Sequence, residues 1–158
     1  CMLSREEVEE FVNLDKIDGQ DESEIEDPQA IIAFGYPEEG EALFRSSSAI
    51  HDRHKMKHIC KTYDEKWFNA LNALRVAPSI SNCQPWTLEQ RENGFDIFEN
   101  EYKKKSDIEK YIKMSMGVAL KHFEIGCRYD NIEIEYRKFD VKNKRKKSYF
   151  ISVLEKTI

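Results

Sequence analysis

The chain has 158 residues and a mass of 18.7 kDa, enough for one domain or for two half-size lobes sharing a core. Hydrophobic residues make up 40% and charged residues 35%, a composition too apolar for a wholly disordered chain. No apolar run approaches the roughly 20 residues of a membrane-spanning helix, and the net charge of -5 argues against broad nucleic-acid binding.

No signal peptide opens the chain, and Cys1, Cys60, Cys83 and Cys127 stand far apart without a CxxC pair. That spacing suits reduced thiols in a cytoplasmic protein better than a disulfide frame or a zinc site. The chain begins Cys-Met and enters a helix signal almost at once, as expected of a piece of a longer protein. Charge is unevenly spread. Residues 1–40 carry thirteen acidic side chains against Arg5 and Lys16, whereas residues 137–147 carry seven Lys/Arg against Asp140.

In chain order, Ser4-Arg5-Glu6-Glu7 is a capping box with Leu3 and Val8 as its staple, and Val8, Phe11 and Val12 form one apolar face. Asp15 to Gln29 reads as a solvated acidic loop. Ala30 to Tyr36 is a short apolar run ending at Gly35 and Pro37, and it reads as a buried strand. Asp64 is placed to cap a helix whose face is Trp67, Phe68, Leu71 and Leu74, stopping before Pro78. Trp86 to Gln90 and Phe95 to Glu99 flank Asn93-Gly94, a hairpin signal. From Asp107 the spacing predicts the longest helix, with Ile108, Tyr111, Ile112, Val118, Ala119, Phe123 and Cys127 inward. Ile132 to Tyr136 and Tyr149 to Leu154 read as the last strands. The run Lys142 to Lys147 reads as a solvated hairpin tip between them, because it has no interleaved aromatics for nucleic acid. The order is mixed α and β without regular βαβ alternation, so an α+β class is expected: a mixed central sheet flanked by helices.

The stretch with chemistry is Ala77 to Trp86, APSISNCQPW. Two prolines bracket small polar and amide side chains, so the backbone is stiff and presents several donors and acceptors at one place. The pyrimidine edge of a flavin alternates acceptors with one N–H, and a carboxamide serves either. A turn in which Asn82 and the serines satisfy local backbone groups fits the same residues. His51, His54 and His58 share a helical spacing, but no further ligand is spaced to complete a metal site, and none is expected. Cys83, Trp67, Trp86 and His122 read as packed residues.

This stretch resembles the APSxxNxQPW signature of the FMN-dependent nitroreductase family, in the branch that fuses two nitroreductase-like halves into one chain. AIIAFGYP (Ala30 to Pro37) resembles that branch's strand ending in Gly-Tyr-Pro. WFNALNALRVAPS resembles the helix leading into the signature. MGVALKHFEIG (Met116 to Gly126) resembles a further helix, with Ser115-Met116-Gly117 where Asp-x-Gly is usual. Cys1-Met2 resembles the end of a mid-chain Gly-Thr-Cys-Trp segment.

The resemblance implies an incomplete, half nitroreductase-like unit, with residues 1–60 trailing from a first half and residues 61–158 forming the second. It implies FMN as cofactor, with Asn82 of the signature near the flavin ring, Pro78, Ser79 and Ile80 lining the flavin pocket across a half-to-half or dimer interface, and Gln84 among the cofactor-binding candidates. Arg53, Lys55 and Lys57 are then the candidates for the phosphate, whose charge suits two or three cations. The activity implied is hydride transfer from NAD(P)H to flavin and on to a nitroaromatic or quinone-like acceptor, with no side chain acting as acid or base and hence no catalytic residue. The family's Arg-x-Ser-x-Arg entry is missing from this chain; FRSSSA (Phe44 to Ala49) lies after Gly-Tyr-Pro instead. A homodimer or a missing N-terminal half is therefore expected to complete the pocket. The alternative is a non-catalytic flavin-binding or protein-interaction module.

Overall fold

The computed structural model describes residues 39–40, 52–101 and 109–156, without the side chain of Lys110. The Ser4 capping box, the acidic loop, the Ala30 to Tyr36 strand, His51, Asp107 and Ile108 lie outside the described residues. The described elements run in the order α1 (Met56–Ile59), a 3-10 turn (Glu65–Trp67), α2 (Phe68–Val76), a second 3-10 turn (Ile80–Asn82), β1 (Trp86–Arg91), β2 (Gly94–Asn100), α3 (Glu109–Tyr129), β3 (Ile134–Arg137) and β4 (Lys147–Glu155). The four strands make one antiparallel sheet in the order β1-β2-β4-β3, and α2 and α3 pack on one of its faces. The class is α+β, as the order of elements in the sequence predicts. Among the described residues no helix is long and apolar enough to cross a membrane.

The core lies between helices and sheet. Trp67 stacks on Phe123 of α3 at 5.8 Å, and Phe95 of β2 meets both rings edge-on at 5.3 and 5.9 Å. Ring pairs in these geometries add to the stabilisation from their burial. Ile97, Ile151 and Val153 present the same sheet face to this cluster, with Ile97 opposite Ile151 and Phe95 opposite Val153. On the other face, Asp96 accepts hydrogen bonds from Arg91 and Ser152, and Ser152 in turn meets the Tyr149 hydroxyl at 2.8 Å. The segment after β3 shields this polar chain: the Phe139 amide donates to the Tyr149 hydroxyl, and Arg91 lies over the Phe139 ring. Cys60 forms a parallel bridge with Leu88, which draws the α1 segment to the outer edge of β1.

Two glycines set the close approaches. A Cβ on Gly126 of α3 would stand 2.5 Å from Ala70 Cα, so this glycine is what lets α2 and α3 touch backbone to backbone. A Cβ on Gly94 would stand 2.0 Å from the Val153 carbonyl oxygen. Gly94 is therefore the first residue of β2, paired with Arg91, and the two-residue turn is Glu92-Asn93. The expected Asn93-Gly94 turn is shifted by one residue because the glycine is needed for contact with β4, not for a left-handed turn.

Other expectations are corrected by packing. Phe68 is 47% exposed, because α2 turns Ala70, Leu71 and Leu74 inward and position 68 lies more than a quarter-turn away. Val118 is 38% exposed for the same reason, and Ser115 and Met116 take the inward positions of α3. Asp64 precedes the first 3-10 turn without a side-chain cap; its backbone carbonyl accepts from the Trp67 amide instead. β3 starts at Ile134 because α3 closes with Asn131 at φ 57°, the Ile132 amide returning to the Cys127 carbonyl at 2.9 Å and Asn131 to Arg128 at 3.1 Å. This is a left-handed helix stop with asparagine in glycine's usual place. The basic tip is a turn held by reciprocal backbone bonds between Lys144 and Lys147, with Lys142 through Lys146 exposed.

Candidate flavin loop

Helix α2 ends at Val76, and Ala77 and Ser79 continue in extended backbone up to the 3-10 turn Ile80–Asn82. Three non-glycine residues in this short stretch, Ser81 (φ 47°), Asn82 (φ 53°) and Gln84 (φ 45°), adopt left-handed backbone. Each such residue costs on the order of 1 kcal/mol, so the loop persists only because its surroundings hold it. The Gln84 amide donates to the Ser79 hydroxyl at 2.9 Å, which closes the loop on itself. The Ile80 amide donates to Ser115 Oγ at 3.0 Å, and that hydroxyl donates to the Tyr111 carbonyl at 2.7 Å, which pins the loop to α3.

The third clamp is the segment Asp52 to His54. The Gln84 side chain, 3% exposed, accepts the His54 amide at 2.7 Å through Oε1 and donates through Nε2 to the Asp52 carbonyl at 3.1 Å. The same Nε2 lies 3.2 Å from both Asn82 O and Asn82 Oδ1. Asn82 donates to the Asp52 carbonyl at 2.9 Å and accepts from the Arg53 guanidinium, whose Nε also donates to the Val76 carbonyl at 3.4 Å. A guanidinium only donates, so it fixes the Asn82 amide with Oδ1 facing Arg53 and Nδ2 facing Asp52.

The loop brings together most of the candidates taken from the sequence. Pro78, Ser81 and Asn82 are exposed, and Ser79, Ile80, Cys83 and Arg53 are half-buried. Gln84 lies behind this surface with its amide spent on the clamp. Lys55 immediately precedes α1 and Lys57 lies within it; both are exposed, and neither side chain has a partner among the described residues. Burial pushes the Cys83 thiol up, opposed by the Ser79 hydroxyl. His54 and His58 meet edge-on at 6.4 Å, and among the described residues no group of three His, Cys, Asp or Glu is arranged to hold a metal.

Two supporting residues escaped the sequence reading. Ser115 was legible as a polar residue between inward-facing Ile112 and Ala119 and as the departure from Asp-x-Gly, not as a clamp, and Asp52 contributes a backbone carbonyl that no side-chain pattern reports. A cleft of about 680 Å³ lies elsewhere, between the end of α3 and β3. Its cations are already paired, Arg128 with Glu124 and Lys156 with Glu133, and it shares no residue with the loop.

The donor set fits a flavin edge. Among the described residues, one Nδ2 hydrogen of Asn82 and three of the five guanidinium N–H groups of Arg53 are left over after the internal bonds are made. The loop is therefore an exposed amide held in strained backbone on a buried polar clamp. The family model described as "Putative TM nitroreductase" matches residues 14–127, and the chain belongs to this nitroreductase family, a family of oxidoreductases. No curated protein and no solved structure matches the chain.

Proposed function

We propose that this chain is the flavin-holding part of an FMN-dependent oxidoreductase, which takes hydride from NAD(P)H and delivers electrons to a nitroaromatic or quinone-like acceptor. The observation that carries the reading is the loop at 78–84: a signature peptide held in left-handed backbone by three independent clamps, with its Asn82 amide exposed. Bound FMN supplies the redox chemistry. The chain's own residues orient it. Asn82 offers an N–H to a ring carbonyl, Pro78 and Ile80 give an apolar edge, and Ser79, Gln84 and Ser115 keep the loop from relaxing. Lys55 and Lys57, with no partner among the described residues, offer their charge to the phosphate. A second copy or an N-terminal half supplies the remaining wall of the pocket.

The test is a titration of FMN followed by flavin fluorescence and by visible absorbance of the purified protein. The wild-type chain is expected to bind and quench FMN, and Asn82→Ala to weaken binding about tenfold, as loss of one or two hydrogen bonds implies. Ser81→Ala, which removes no bond seen in the loop, is expected to leave it unchanged. A wild-type chain that does not quench FMN refutes the proposal, and so does equal, negligible change in both variants.

A further inference from the structure

Arg53, Lys55 and Lys57 enter the flavin reading as one phosphate-binding cluster, but the structure does not treat them alike. Lys55 and Lys57 are exposed and unpaired among the described residues. Arg53 is half-buried and bound to the carboxamide of Asn82 and to the Val76 carbonyl. The Arg53 guanidinium therefore lies beside the carboxamide that the flavin reading sets against the ring. The ribityl chain of FMN separates the phosphate from the pyrimidine edge, so a guanidinium spent on one is not available to the other.

Among the described residues, the valences left free on the Asn82 and Arg53 side chains are all of one kind. Asn82 Oδ1 already faces donors from Arg53 and Gln84, and Gln84 Oε1 is taken by the His54 amide. What remains is one Nδ2 hydrogen and three guanidinium N–H groups, a set of donors only. The flavin N3–H finds no acceptor in this set, whereas N1 and a ring carbonyl do. We propose that Arg53 is a ring-side cation: it faces the acceptor edge of the isoalloxazine, stabilises the negative charge the ring takes up on two-electron reduction, and leaves the phosphate to Lys55 and Lys57. This rests on the flavin reading above. A planar, permanently charged fork suits that task better than an ammonium, and charge placed near N1 is one of the protein's means of tuning a flavin.

The experiment compares the wild type with Arg53→Gln, Arg53→Lys and the double variant Lys55→Gln/Lys57→Gln. Each is titrated with FMN and with riboflavin, which lacks the phosphate, and the midpoint potential of bound FMN is measured against a reference dye. Arg53→Gln is expected to weaken FMN and riboflavin by the same factor, about tenfold. It is also expected to move the potential to a more negative value; a tenfold loss of preference for the reduced ring corresponds to about 30 mV for two electrons. Arg53→Lys, which keeps the charge, is expected to restore most of the potential. The double lysine variant is expected to weaken FMN while leaving riboflavin unchanged.

Weakening of FMN alone by Arg53→Gln would make Arg53 a phosphate ligand and overturn the inference. Equal weakening with an unmoved potential would reduce it to a loop clamp, and overturns the inference too. A wild-type chain that binds neither flavin refutes the underlying function instead, so the two failures are distinguishable.

Discussion

Helix α3 carries two glycines in opposite circumstances, and the same substitution at each tests the packing account. At Gly117, exposed on the helix, an added Cβ meets nothing within 4 Å. Gly117→Ala therefore gains helix propensity alone, about 0.8–1 kcal/mol of added stability. At Gly126 the added Cβ would lie 2.5 Å from Ala70 Cα and 2.8 Å from both Ala70 N and Asn69 O. All three are backbone atoms, so no side chain can swing aside, and α2 must move away from α3. Overpacking of this kind costs about 1–3 kcal/mol, and the rigidity of backbone places the cost at the upper end. After the propensity gain, Gly126→Ala is expected to lose about 2 kcal/mol, leaving the two variants about 3 kcal/mol apart. Urea unfolding followed by tryptophan fluorescence measures this, since Trp67 lies at the same helix contact and is 1% exposed. The midpoint is expected to rise for one variant and fall for the other at constant slope. If both variants shift in the same direction by similar amounts, the close approach of α2 and α3 is wrong.

Three further outcomes are expected. Gln84→Ala removes the side chain that accepts the His54 amide and donates to Asp52; both partners lie near the surface and regain water, so the global cost is about 2 kcal/mol. Hydrogen exchange at the His54 amide should accelerate far more than at Ile97, and uniform acceleration would contradict a local clamp. Burial pushes the Cys60 thiol up to about 11 and the Cys127 thiol up to about 12 from an ordinary 9.0. Between those values the native state holds protons that the unfolded chain has lost, so stability falls as pH rises from about 9 to 12, by at most about 1.4 kcal/mol per pH unit per thiol. Denaturant melts at pH 8 and pH 10.5 check this, and a Cys127→Ala variant with an unreduced slope would refute that thiol's share. Ser115→Ala leaves the Ile80 amide without its partner and is expected to cost about 1–2 kcal/mol, with Ser115→Thr recovering part of it; urea melts of both read the difference.

Much of this protein was legible along the chain because the signals are local. The helical period from Ile112 through Ala119 and Phe123 to Cys127, the alternation along Phe95 and Ile97, and the stiff amide-rich peptide at 78–84 are each written in adjacent residues. They determine the α+β class and the place where chemistry is sought. Tertiary structure decided what depends on residues far apart in sequence. Phe68 and Val118 are apolar and helical, yet they face outward, because the facing element, not the side chain, chooses which stripe is buried. Gly94 lies next to a turn, yet Val153, on a strand some sixty residues later, is the reason it must be glycine. The left-handed loop is likewise kept in place by Asp52, Arg53 and Ser115, none of them adjacent to it. A one-dimensional pattern records the preference of each segment; the partner that satisfies a buried amide or blocks a Cβ is a property of chain closure, and only folding supplies it.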